Sequence, residues 1–205
     1  MPILSRKSVP KDPDATKERI LDAALDVFSA KGYHDTRVDE IVEKSSTSKG
    51  SVYFHFPSKQ SIFLALVDHF ADMLEGRVIE AIEHQNAGID RVRAALTACL
   101  DTFGRYRRLA KILLVQAAGL GAIFEEKRQE VLNRFSALVQ IYLQEAVALG
   151  EIPPLDAEVV SQAWAGAINN LVIRWVYTGS PEPDRILSTL LPLLLRGVGF
   201  EEKQS

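Results

Sequence analysis

With one cysteine in 205 residues, the chain cannot build a disulfide framework of its own. Cys99 sits in the apolar run AALTACL, where a buried, inert thiol is expected rather than a nucleophile or metal ligand. Long hydrophobic runs are missing too. No segment approaches the roughly 18 consecutive apolar residues of a membrane span, and the first 17 residues hold no apolar core of signal-peptide length. A soluble chain resident in the cytoplasm, with no membrane partner, is therefore expected. There is no G-x-S-x-G, no Walker loop, no dinucleotide fingerprint and no Cys pair, so neither an enzyme nor a cofactor is expected. His69 with Asp72, and Glu80 with His84, have helical spacings, but each pair supplies two ligands where a metal wants three or four, so no metal site is expected.

What is present is apolar material for a core: 47% of residues are hydrophobic and 25% charged, with a mean hydropathy of +0.01. The net charge of −3 seems to argue against a nucleic-acid partner until it is divided along the chain. Residues 1–60 carry 10 Lys+Arg against 9 Asp+Glu, while residues 61–205 carry 14 against 18. A reader of DNA needs only a local cationic face, and acids such as Glu18, Asp22 and Asp26 recur every four residues as a solvated stripe. Arg6, Lys7 and Lys11 precede the first helix as an arm able to touch phosphates.

The hydrophobic period is helical nearly throughout. Ile20, Leu21, Ala24, Leu25 and Phe28 form one stripe, similar stripes return to the end, and no segment reads as a strand. Breaks at Gly32, Ser45–Ser48, Pro57, Gly88, Gly119–Gly121, Gly150–Pro154 and Gly179–Pro183 imply about nine helices. They are expected near 15–31, 37–44, 48–54, 58–84, 89–107, 108–118, 123–149, 156–178 and 183–198. The fold class is all-α, with an arm and three-helix module over 1–57 and a larger helical bundle over 58–205.

Between Gly32 and Lys59 the chain reads GYHDTRVDEIVEKSSTSKGSVYFHFPSK, two short helices joined by a tight polar turn, which is helix-turn-helix logic. Thr36 is placed to cap the second helix, with Asp39 three residues on, and Ser48 to cap the third. Val38, Ile41, Val42, Val52 and Phe56 supply the inward faces. Lys49, Ser51, Tyr53 and His55 then project outward, and Gly50 leaves room for close backbone approach. Those side chains suit a major groove: Lys49 to guanine O6/N7, Ser51 to a base edge or a thymine methyl, Tyr53 and His55 to flanking phosphates. Lys59, after the capping Ser58, adds an ammonium for a passing phosphate. Residue chemistry alone leaves a second reading open, an exposed turn that merely packs its aromatics.

Residues 16–68 closely resemble the DNA-binding domain of the TetR family, through ILDAALDVFSAKGY, the Thr36–Ile41 helix start and SKGSVYFHFPSK leading into an apolar helix. The resemblance implies that Thr36, Lys49, Gly50, Ser51, Tyr53, His55 and Lys59 meet double-stranded operator DNA while Val52 and Phe56 are structural. One departure is the turn Ser45, Ser46, Thr47, where many members carry a glycine; a positive φ at Ser46 would strain it.

Beyond residue 70 the resemblance implies a helical domain that binds a small-molecule inducer and forms a two-fold homodimer through the last two helices. The residues agree in part. Val160, Trp164, Ile168, Leu171 and Trp175 make one stripe, and Ile186, Leu187, Leu190, Leu191, Leu193, Leu194 and Leu195 make a helix apolar on most sides. Trp175, Ile186, Leu187, Leu190, Leu191 and Leu194 are the expected dimer interface, with packing inside one protomer as the alternative. Candidate pocket walls are Phe103, Leu113, Val115, Gln116, Phe135, Leu138, Tyr142, Trp164, Ile168 and Asn169. Arg174, four residues from Asn170 on a face with small Ala163 and Ala167, would want an anionic partner if buried. The run Arg105, Arg107, Arg108, Lys111 is either a solvated face or a phosphate site. A lipophilic, aromatic or acyl-CoA-like inducer is expected, and the expected function is a repressor released by it. The alternatives are a local activator, or a helical binding or scaffold protein without DNA binding.

Overall fold

In a computed structural model that describes residues 13–86, 88–116 and 120–200, and all of their side chains except those of 13, 113 and 116, helices form where the apolar stripes run. The arm residues Arg6, Lys7 and Lys11 lie outside the described residues. Among those residues there are nine α-helices and no strand, and no helix is long and apolar enough to cross a membrane. The chain divides into two units, Met1–Leu66 and Val67–Ser205.

The first unit holds α1 (Pro13–Asp35), α2 (Val38–Ser45), α3 (Lys49–His55) and the opening turns of α4 (Lys59–Glu83). Ile20, Leu21, Ala24 and Phe28 of α1 are buried. Gly32, at φ 81°, turns the chain so that Tyr33 stacks on Phe28 (5.9 Å between ring centroids) and meets Phe63 edge-on (5.1 Å). The start of α2 corrects the expected cap: Thr36 turns its hydroxyl back to donate to Gly32 O (2.7 Å), and the Arg37 N–H is taken by Glu40 Oε2 (3.0 Å). A carboxylate one residue beyond Asp39 has the reach, because the helix begins one residue later than the hydroxyl suggested. Ser46 closes α2 in the left-handed region at φ 52°, the only non-glycine to do so among the described residues, as the missing glycine predicts. Ser48 Oγ accepts from Ser51 N–H (3.1 Å) and starts α3.

The second unit packs the rest of α4, α5 (Gly88–Arg105), α6 (Arg107–Lys111), α7 (Ala122–Ala148), α8 (Ala157–Thr178) and α9 (Pro183–Gly197). Phe70, Leu96, Leu100, Val139, Leu143 and Val172 are among its buried core. α6 is shorter than its period suggested, because Ile112–Gln116 widen into a π-helical turn. Along the seam of α4 with α7, Asp68 pairs with Lys127 (2.9 Å), and Asp72 (2.9 Å) and Glu75 pair with Arg134. Of the residues considered for a metal, Asp72 is therefore engaged by an arginine, and His84 Nδ1 lies 2.7 Å from the Glu80 carbonyl.

Val52, with no exposed surface, seats α3. Val52→Ala is expected to lower unfolding stability by about 2 kcal/mol, the loss of two methyl-sized groups plus a residual cavity. Urea or thermal unfolding reads this out, and a loss below about 0.5 kcal/mol would place the residue outside the core.

Candidate functional site

The seven residues of α3 present two unlike faces. Val52 and Phe56 turn inward and are buried. Of the side chains expected to read DNA, Lys49 and Tyr53 are exposed, and Ser51 and His55 are half-buried. Lys49 Nζ lies 2.8 Å from Asp39 Oδ1. That bond holds the Asp39 carboxyl below the usual range and raises the Lys49 ammonium above its own. The cation is thus held on the surface by an acid of α2. A Cβ built on Gly50 meets nothing within 4 Å, so the backbone there is open.

One residue of this face escapes the sequence reading. Phe54 is 82% exposed, the most exposed large apolar side chain among the described residues. Choosing every second residue, 49, 51, 53 and 55, samples a helix at the wrong period. With Val52 inward, a rotation of about 100° per residue puts Gly50 and Phe54 at the outward pole, with Ser51 and Tyr53 on its flanks.

Thr36 and Lys59 sit differently from the rest. Thr36 is 2% exposed, with its hydroxyl committed to Gly32. Lys59 Nζ donates to the carbonyls of Tyr33 (2.7 Å), His34 (3.1 Å) and Thr36 (2.9 Å), and stands 4.6 Å from the centroid of the Tyr33 ring. An ammonium has three protons, and these carbonyls take all of them. Lys59 in this structure therefore closes the carboxyl end of α1 rather than reaching outward. Ser58 and Ser61 do cap α4, each hydroxyl accepting the other's N–H at 3.0 Å.

In the second unit, Phe103, Phe135, Ile168 and Asn169 come together around a small, partly open apolar cavity of about 30 Å³. Leu74, Cys99, Leu114 and Arg128, which the sequence did not single out, also line it. Asn169 Oδ1 is buried without a hydrogen-bond partner. Burial raises the Cys99 thiol, leaving it inert. Leu138 lines a smaller neighbouring void with Leu74 and Phe135. Val115, Tyr142 and Trp164 are not among the walls of the cavity, and the side chains of Leu113 and Gln116 lie outside the description. Arg174 is exposed, which removes the case for a buried arginine needing an anion. Arg107 donates to the carbonyls of Trp175 (3.4 Å) and Val176 (3.2 Å) and so serves the end of α8.

The residues expected to pair two copies also divide. Trp175, Ile186 and Leu191 are buried within the protomer, whereas Leu187, Leu190 and Leu194 are half-buried. Ala163, Gly166, Asn170 and Tyr177 of α8 and Leu193 of α9 are exposed.

Residues 20–66 match the family model described as bacterial regulatory proteins, tetR family. The chain is 28% identical over 173 residues to the HTH-type transcriptional regulator SrpR of Pseudomonas putida, covering 82% of this chain and 78% of that one. It is 24% identical over 182 residues to the fatty acid metabolism regulator protein of Bacillus subtilis, covering 88% and 94%. Its fold is similar to that of the transcriptional regulator FadR from Bacillus subtilis solved in complex with stearoyl-CoA, with a TM-score of 0.78, 22% identity, and coverage of 88% and 98%.

The two roles open to Lys59 separate experimentally. Lys59→Met is expected to lower the stability of the chain by about 2 kcal/mol, as charged hydrogen bonds are lost from the α1 carbonyls. The slope of log K against log salt for duplex DNA is expected to stay the same. A slope reduced by about one at unchanged stability would return Lys59 to the phosphates.

Proposed function

Because the chain is a TetR-family transcriptional regulator, we propose that it works as a homodimeric repressor, held on a palindromic operator by two copies of α3 and released by a lipophilic, acyl-type effector. The observation that carries the reading is the division of α3 into a buried seat, Val52 and Phe56, and an open face bearing Lys49, Gly50, Ser51 and Tyr53. On the operator, Lys49 exchanges Asp39 for guanine O6/N7, Ser51 bonds a base edge, and Tyr53 and His55 take flanking phosphates. Thr36 and Lys59 support this face by holding the turn that leads to it.

Dimerisation through α8 and α9 accounts for the outward stripe of Ala163, Gly166, Asn170 and Tyr177, spaced as helices that pack closely require, with Leu193 beside it. Leu187, Leu190 and Leu194 extend the same contact, and the operator is then two-fold symmetric with half-sites set by the spacing of the two α3 helices.

Two findings support an acyl-type effector. The cavity is apolar with one unsatisfied acceptor, Asn169 Oδ1, suited to a long chain ending in a hydrogen-bond donor or a water-bridged polar group. The fatty acid metabolism regulator and the stearoyl-CoA complex among the similar proteins point to the same chemistry. At about 30 Å³ the cavity holds little more than a water, so an acyl chain has to spread its walls, Leu74 of α4 and Leu114 of the π-helical turn included. α4 begins at Lys59, which is fixed to the α1 carbonyls, so a shift of α4 carries the reading head with it and changes the separation of the pair.

A gel shift with duplex from upstream of the chain's own gene tests this. Wild-type protein is expected to retard it, and Lys49→Ala with Tyr53→Ala to weaken binding by at least about tenfold. Stearoyl-CoA is expected to weaken operator binding by about 5–150-fold, and operator to weaken stearoyl-CoA binding by the same factor. Unshifted DNA would remove the repressor reading; independent binding of DNA and stearoyl-CoA would remove the release mechanism.

A further inference from the structure

Resting on the reading of α3 as the element that meets DNA, we infer that Phe54 is a specificity-determining residue that recognises the 5-methyl group of a thymine in each half-site. The argument starts from position. Val52 faces the core, so the outermost point of α3 falls at Gly50 and Phe54, one turn apart. At Gly50 nothing rises above the backbone, and a Cβ there would meet nothing within 4 Å. Phe54 therefore stands alone as a ridge beside a gap. Its ring is braced edge-to-face against His55, with centroids 5.3 Å apart and planes at 84°.

Chemistry then selects the occupant. A phenyl ring offers no hydrogen bond, so against the donors and acceptors of guanine, cytosine and adenine it would strip water from polar edges and return nothing. Thymine alone presents an apolar group to the major groove, its C5 methyl. A phenyl at the crest of the helix meets the floor of the groove first, so it favours T·A at one position and disfavours the other pairs. The polar neighbours Ser51 and Tyr53 continue the same surface and leave this apolar contact flanked by groups able to bond to bases and phosphates.

The test uses duplexes selected from random-sequence DNA by the full-length wild-type protein, in which each thymine is replaced singly by deoxyuridine, a change that removes only the methyl group. Dissociation constants for wild type, Phe54→Ala and Phe54→Leu are read by fluorescence anisotropy. In wild type, one thymine per half-site is expected to be sensitive, binding about fourfold more weakly as uracil, the effect of withdrawing one methyl-sized group from an apolar contact. Phe54→Ala is expected to erase the thymine–uracil difference at that position alone, and Phe54→Leu to keep part of it. Thermal melts of both variants should overlay the wild type, since the ring is 82% exposed. Equal thymine–uracil ratios for wild type and Phe54→Ala at every position, with DNA still bound, overturn the inference and leave the DNA-reading role of α3 standing. A wild type that selects no duplex overturns both.

Discussion

A helix of seven residues cannot hold itself together in water, and α3 has no more than that. Its shape and direction depend on the burial of Val52 within it and of Phe56, which closes it in extended backbone. Everything offered to a DNA groove is offered from the back of that seat. The surrounding contacts serve it: Ser48 supplies the acceptor that starts the helix, Ser46 accepts a left-handed backbone so that the turn stays tight, and Lys59 binds the carbonyls of Tyr33 and His34 in the last turn of α1 and that of Thr36 just beyond it. Rigidity of this kind lets a few side chains discriminate among bases, because a loose helix would lose the gain in ordering entropy.

Charge acts locally here. The chain as a whole is acidic, yet three acids of the first unit are paired with lysines: Asp39 with Lys49, Glu40 with Lys31, and Asp26 with Lys44 (2.9 Å). Exposed pairs of this sort contribute little to stability. In the second unit the pairs between α4 and α7 line the rim of a seam whose interior holds Leu74, Val131 and Phe135. The helix that leads out of the reading head thus carries one wall of the apolar cavity and the acidic side of that rim.

Much of the fold was legible because an apolar stripe with a period of 3.6 leaves little choice, and glycine, proline and hydroxyl residues punctuate it. The helices from Pro13 to Gly197 begin and end close to the residues the punctuation marks. The π-helical turn at Ile112–Gln116 was not legible, since an added residue per turn leaves an apolar run looking the same. The cap of α2 was misread because a hydroxyl before a helix has other carbonyls to reach, and Thr36 finds that of Gly32. The reading face was partly legible: Lys49 and Tyr53 lie open as expected, whereas Phe54 was passed over by counting in twos. Lys59 could not be resolved from sequence, because its three acceptors lie 23 to 26 residues away along the chain. The cavity suffers the same limit. Periodicity marks Phe103, Phe135, Trp164 and Ile168 as inward, but only tertiary packing decides that Trp164 fills core while the others border a void.

Hydrogen exchange of the full chain, followed by mass spectrometry with and without a bound operator duplex, tests the role of α3 most directly. A short helix that depends on its seat exchanges readily, so a covering duplex has a large effect on it. The account predicts that DNA slows exchange most in peptides spanning residues 46–56, with α8 little changed. Unchanged exchange across those residues on a protein saturated with operator, and slowing elsewhere, would contradict it.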